Sequence, residues 1–166
     1  MAESLQDNIQ NTATTIKLPP NSQEAEQSVL GGLMLNDQHW FDLVDILQPS
    51  DFYRNQHQLI YQAMIELANQ DEALDAVTVS EKLKSKAILE KAGGIEYLGQ
   101  LAESSTGASN VLAYARIIRE RSVLRQLIGA ANQIADSAFS TEGKDSETLL
   151  EKAEQAIFSI SEREGS

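Results

Sequence analysis

The sequence predicts an all-α fold, a globular body of short helices followed by a long antiparallel helical hairpin. Three observations predict it. After residue 18, apolar residues recur three and four apart along most of the chain, the spacing of a helix face. The period-two alternation of a strand is confined to Val77, Thr78 and Val79, which serve equally well as a helix start. The stretch 110–138 holds no proline and only one glycine, Gly129, so it reads as one continuous helix.

Taken in order, residues 1–18 are rich in Asn, Gln and Thr with few large apolar side chains, and are expected to form a disordered tail. Leu18, Pro19 and Pro20 stop a helix from entering. Asn21 stands three residues before Glu24, a capping-box spacing, ahead of Ala25, Val29, Leu30, Leu33 and Met34. Gly31 and Gly32 each cost about 1 kcal/mol relative to alanine inside that helix, which suggests another helix pressed against the backbone. The alternative is a break between two short helices.

Trp40, Phe41, Val44 and Leu47 give a short amphipathic helix closed by Pro49, and Ser50 can cap the next one. That next segment carries Phe52, Tyr53, Leu59, Ile60, Ala63, Met64 and Leu67 on one stripe. Two shorter helices are expected over 75–86 and 94–103, punctuated by Gly93 and Gly94. The body is therefore assigned to 19–105.

The hairpin occupies 106–162. Its first helix runs roughly 40 Å at 1.5 Å per residue. A polar turn over 140–145 containing Gly143 leads to a second stripe of Leu149, Leu150, Ala153, Ala156, Ile157 and Ile160. A body of this size has a radius of gyration of about 13 Å, so the long helix must overshoot it. That helix carries two apolar stripes, one through Ile117, Leu124, Leu127, Ala131 and Ile134, the other through Val111, Tyr114, Ile118 and Ile128. One hairpin partner covers only one of them. The uncovered stripe predicts self-association or a partner, unless the body folds back over it. Ile117, Leu124, Leu127, Ala131, Leu150 and Ile157 are the candidate self-association residues, and the small residues Gly129, Ala130, Ala131, Ala135 and Ala138 would permit close helix approach.

Several chemistries are excluded or disfavoured by residue type. Without cysteine there can be no disulfide or thiolate site. A net charge of -12 disfavours direct nucleic-acid binding, because affinity for phosphates scales with the Lys and Arg that displace counterions. No apolar run approaches the roughly 20 residues of a membrane span, and the N-terminus lacks the features of a signal peptide, so a cytoplasmic location is expected. Gly143-Lys144 is followed by Asp145 and has Ala138 where a phosphate-binding loop needs its first glycine. His39 and His57 are too distant in sequence for a local metal pair and read as capping or partly buried packing residues. Asp42 and Asp45 read as a solvated face. Lys82, Lys84, Lys86 and Lys91 alternate with acids and lack interleaved aromatics. Arg116, Arg119, Arg121 and Arg125 are expected to pair with Glu120 or, across the hairpin, with Glu147, Glu151 or Glu154, with partner docking as the alternative.

Four strings, in order, carry a family resemblance: LPPNSQEAEQSVLGGLML at 18–35, DFY at 51–53 followed by His57, GGIEYLGQL at 93–101, and NVLAYARIIRERSVLRQL at 110–127. Over most of 18–162 the chain resembles the N-terminal domain of the DnaB-type replicative DNA helicases. The resemblance implies a body of short helices and a hairpin through which subunits pair, building the collar of a hexameric ring that recruits the C-terminal domain of primase. It places Tyr97, Ile128 and Ile134 in the primase-docking surface. It implies no catalytic residue, metal or cofactor in this chain. ATP and Mg2+ belong to the motor domain of such helicases, which has no counterpart here, and 163–166 are expected to begin an interdomain linker or mark a truncation. Two rival readings are a helix-turn-helix DNA-binding regulator and a small helical enzyme with an unrecognised site.

Overall fold

Seven α-helices and one 3-10 turn account for the regular structure of residues 17–105 and 110–164, the part of the chain described by the computed structural model. They are α1 (Gln23–Leu35), α2 (Trp40–Ile46), the 3-10 turn (Pro49–Asp51), α3 (Asn55–Asn69), α4 (Ala76–Ser85), α5 (Gly94–Ser104), α6 (Val111–Phe139) and α7 (Ser146–Glu164). No strand occurs among the described residues. The expected tail, apart from Lys17 and Leu18, lies outside them, as do 106–109.

The start of α1 differs from expectation by one residue. Ser22 is the cap, its hydroxyl accepting the Ala25 N–H at 3.2 Å. Asn21 instead donates its side-chain amide to the Pro19 carbonyl at 2.8 Å, which holds the entry turn. Gly31 does mark a close helix crossing within one unbroken helix. A Cβ on Gly31 would collide with the backbone carbonyl of Leu101 on α5, so only hydrogen fits there.

A second departure concerns Phe52 and Tyr53, which precede α3 rather than sitting on it. Gln48 and Asp51 close the 3-10 turn instead, with Gln48 N–H donating to Asp51 Oδ2 at 2.7 Å. Phe52 still drops fully into the core, in ring contact with Tyr61 at 5.0 Å, whereas Tyr53 stays half-exposed. Burial pushes the Tyr61 phenol pKa upward, with the nearby Asp51 charge adding to the effect. Its hydroxyl donates to the Leu47 carbonyl at 2.9 Å, satisfying the buried donor.

Leu30 and Leu33 of α1, Ile60 and Met64 of α3, Leu83 of α4 and Leu98 of α5 form the centre of the core. Helix α6 begins inside it. Val111, Ala115 and Ile118 are at most 1% exposed, so the inward face of the long helix's first turns belongs to the core. Its 29 residues span roughly 43 Å. The reversal into α7 uses Glu142 and Gly143, both at positive φ (52° and 80°). Ala130 of α6 and Ile160 of α7 are buried in the hairpin, and Gln133, Ile134 and Ser137 face Leu149, Ala153 and Ala156 across a shallow groove.

These contacts predict opposite effects at two helical glycines. Gly31→Ala should lower unfolding stability by about 1–3 kcal/mol, because the obstacle is backbone and cannot turn aside. Gly129→Ala meets open space and should raise stability by up to about 1 kcal/mol. Urea unfolding followed by circular dichroism reads both.

Candidate functional site

Successive residues of α6 turn by about 100°, which divides the helix into faces. Val111, Ala115, Ile118 and Ser122 point into the body. Ala130 and Ile134 point toward α7. Between them, Ile117, Leu124 and Leu127 remain 36–41% exposed and Ala131 is exposed with them. Of the two expected stripes, the body covers the second at Val111 and Ile118 but leaves Ile128 exposed. The first stays open except at Ile134. On α7, Leu150 and Ile157 are likewise exposed.

The three residues placed by resemblance occupy three different settings. Ile128 lines an apolar groove of about 580 Å³ with Leu18, Pro19, Pro20, Tyr53 and Arg125. Arg125 braces its walls. One guanidinium nitrogen donates to the Pro20 carbonyl and another to the Asp51 carbonyl, each at 2.7 Å, and the group lies 5.3 Å from the Tyr53 ring centroid. Desolvation draws the Arg125 pKa below its ordinary value, against the opposing pull of Glu26 and Asp51. Ile134 is half-buried in the hairpin groove.

Tyr97 on α5 is half-buried, and its hydroxyl is engaged internally at 2.5 Å from His57 Nε2 and 3.3 Å from Gln27 Nε2. His57 is fully buried, beyond the partly buried packing role expected for it. Its Nδ1 lies 2.7 Å from Glu26 Oε1, and Glu26 also accepts the backbone N–H of Tyr53 at 2.9 Å. The Glu26 carboxylate can only accept, so Nδ1 donates to it, and Nε2 is hydrogen-bonded to the Tyr97 hydroxyl. The other histidine, His39, sits near the surface beside Gln38.

Asp51 is the second buried polar centre, and the sequence reading missed it. Its carboxylate is fully buried and receives Arg163 through two nitrogens at 2.8 and 2.6 Å, Arg119 at 3.0 Å, the Ser122 hydroxyl at 2.7 Å and the Gln48 N–H. Burial alone would raise its pKa. The bonds from Arg163, Gln48 and Ser122, with the Arg163 charge, outweigh burial and hold it below the ordinary carboxylate value. For Arg119 and Arg125 the expected pairing with Glu120 or the α7 glutamates gives way to Asp51 and backbone carbonyls. The reason is desolvation: arginines facing the body need partners inside it. The available signal was an aspartate beside Pro49 and Phe52, an acid next to core residues.

Asp42 and Asp45 are exposed, and Lys86 pairs with Glu66 at 2.8 Å. Among the described residues no group of three or more His, Cys, Asp or Glu is arranged to hold a metal ion. No helix among them is long and apolar enough to cross a membrane.

The architecture defines a class, an all-helical module whose distinguishing surface is an uncovered apolar ridge on a helical hairpin. The model of the DnaB-like helicase N-terminal domain matches residues 18–120, and the chain belongs to that family. It is 40% identical over 148 residues to the replicative DNA helicase DnaB of Haemophilus influenzae, covering 89% of this chain and 32% of that one. The chain therefore spans about a third of that relative's length. Its fold superposes on the N-terminal domain of the Mycobacterium tuberculosis DnaB helicase with a TM-score of 0.82 and 36% identity, over 86% of this chain and 99% of that one. The corresponding Helicobacter pylori domain, whose structure is described with its interactions with primase, gives 0.59 and 28% over 69% and 89%.

Asp51→Asn should destabilise the chain by about 3 kcal/mol near neutral pH, because Arg119 and Arg163 then lose their buried counter-charge. A depressed carboxylate pKa gives stability that is present above the unfolded-chain value of about 3.9 and lost as pH falls through the lower folded value. The gap between parent and variant should accordingly shrink in acid, as read by urea unfolding at a series of pH values.

Proposed function

We propose that this chain works by assembly and docking: copies pair through the hairpin, help to build the collar of a hexameric replicative DNA helicase, and hold primase at that ring during DNA replication. On this reading 19–105 is the body that positions the hairpin of 106–162. The observation that carries it is the open stripe of Ile117, Leu124, Leu127 and Ala131 on a rigid helix. Apolar surface kept in water forgoes roughly 25 cal/mol per Å², which a second copy would recover.

Helical periodicity strengthens the pairing argument. In an antiparallel pair whose contact runs through Ala130 and Ile160, residues about 70° round from that contact fall on a shared side. Leu127 on α6 and Leu150 and Ile157 on α7 all satisfy this, so both helices contribute to one apolar face. The Helicobacter pylori relative's described interactions with primase support the same partner here. Of the proposed docking residues, Ile128 offers an open side chain in a groove. Tyr97 would contribute its ring rather than its committed hydroxyl, and Ile134 only the edge left by α7. ATP and Mg2+ are assigned to the motor region of such helicases and not to this chain.

The rivals find less support. A helix-turn-helix reader needs a basic helix open to phosphates, whereas Arg119 and Arg125 turn inward to Asp51 and to backbone carbonyls. An enzyme needs titratable groups converging in a cleft, whereas the Glu26 and His57 pair is capped by Tyr97.

Light scattering coupled to size exclusion should report a concentration-dependent oligomer that Leu127→Glu shifts toward monomer. A parent chain that stays monomeric at high concentration counts against pairing. Ile128→Asp should weaken binding of the primase C-terminal domain by roughly tenfold, about 1.4 kcal/mol, with helicity unchanged. Undiminished binding in calorimetry removes Ile128 from the docking surface.

A further inference from the structure

Two helices joined by a turn can splay or roll unless the second is fastened to something besides the first. Helix α7 has such a fastening in its last turn. Arg163 reaches across 112 residues of sequence to Asp51, placing one guanidinium nitrogen on each carboxylate oxygen at 2.8 and 2.6 Å. A planar, two-point ion pair restrains rotation as well as distance. The same carboxylate receives Arg119 and Ser122 from the root of α6 and the Gln48 N–H from the 3-10 turn. One buried charge therefore joins the body, the inner helix and the end of the outer helix.

We propose that Asp51 and Arg163 form a releasable latch that sets the splay and roll of the hairpin relative to the body. Asp51 is the positioning residue and Arg163 the arm. The two ends are unequally placed: the Asp51 side chain is fully buried, whereas that of Arg163 is 26% exposed. Water and salt thus reach the arm and not the anchor. Opening the latch would leave no bare carboxylate, since Oδ1 keeps Arg119 and Ser122, and Oδ2 keeps the Gln48 N–H. That retained satisfaction makes the closed and open forms two workable states of one fold. If the pairing proposed above holds, the latch also regulates it, because Leu127 shares a face with Leu150 and Ile157 only while the roll of α7 is fixed.

Since the chain contains no cysteine, Lys84→Cys on α4 and Ser159→Cys on α7, both exposed positions, can carry a pair of spin labels. Labelled chain diluted into unlabelled chain gives the intramolecular distance distribution by double electron–electron resonance. The parent should give a narrow distribution, Arg163→Ala one about twofold broader, and Arg163→Lys an intermediate one, with circular dichroism unchanged. Raising salt from about 0.1 M to about 1 M should broaden the parent and leave Arg163→Ala as it is. Asp51→Asn should broaden the distribution in the same direction, and Arg163→Lys, which keeps the charge, provides the second route should Arg163→Ala fold poorly. Superposable distributions for parent and both variants, or a parent insensitive to salt while Arg163→Ala responds, would overturn the latch. Because the distance is measured within one chain, failure of self-association leaves this result standing.

Discussion

A carboxylate removed from water must be met by enough donors to replace its hydration, and at Asp51 that requirement organises much of the molecule. Burial pushes the group toward protonation, yet donors from a 3-10 turn, from α6 and from α7 hold it below its ordinary value. Each donor comes from a different part of the chain, so the closed arrangement forms only when all three are correctly placed. A buried ion pair is weak evidence for net stability and better evidence for geometry. Here the geometry specified is the seating of the hairpin on the body.

The second buried network, Glu26, His57 and Tyr97, does similar work at the crossing of α1, α3 and α5. Glu26 also accepts the backbone N–H of Tyr53, in the bend that enters α3. That bend carries Tyr53 to the rim of the groove containing Ile128, where Arg125 stacks on its ring. The polar interior and the apolar surface are therefore mechanically connected. A change at His57 would be felt at Tyr97, and one at Arg125 along the whole wall of the groove.

An assembly module needs rigidity where it is sticky, since ordering a flexible surface on binding opposes association. Helix α6 meets that need by starting in the core. The inward face of its first turns is buried, and the exposed ridge runs along the same rod, so Ile117, Leu124 and Leu127 are held in position before any partner arrives. This division of one helix between core and exposed ridge explains why it bears apolar residues on more than one face.

The helical class, the long hairpin, the close crossing at Gly31 and the uncovered stripe were legible in the amino-acid sequence. Each depends on local periodicity or on a glycine whose only obstacle is another helix. The bend at Phe52 and Tyr53 was not, because a 3-10 turn capped by Gln48 and Asp51 has too few residues to show a period. Nor could the sequence alone show that Asp51 lies within reach of Arg163, 112 residues away, or that Glu26 meets His57 and Tyr97. It could not place Tyr97, Ile128 and Ile134 in separate settings either. Linear spacing determines which residues share a face of one helix. Which faces meet, and hence which charges must find partners away from water, was decided only when the helices packed.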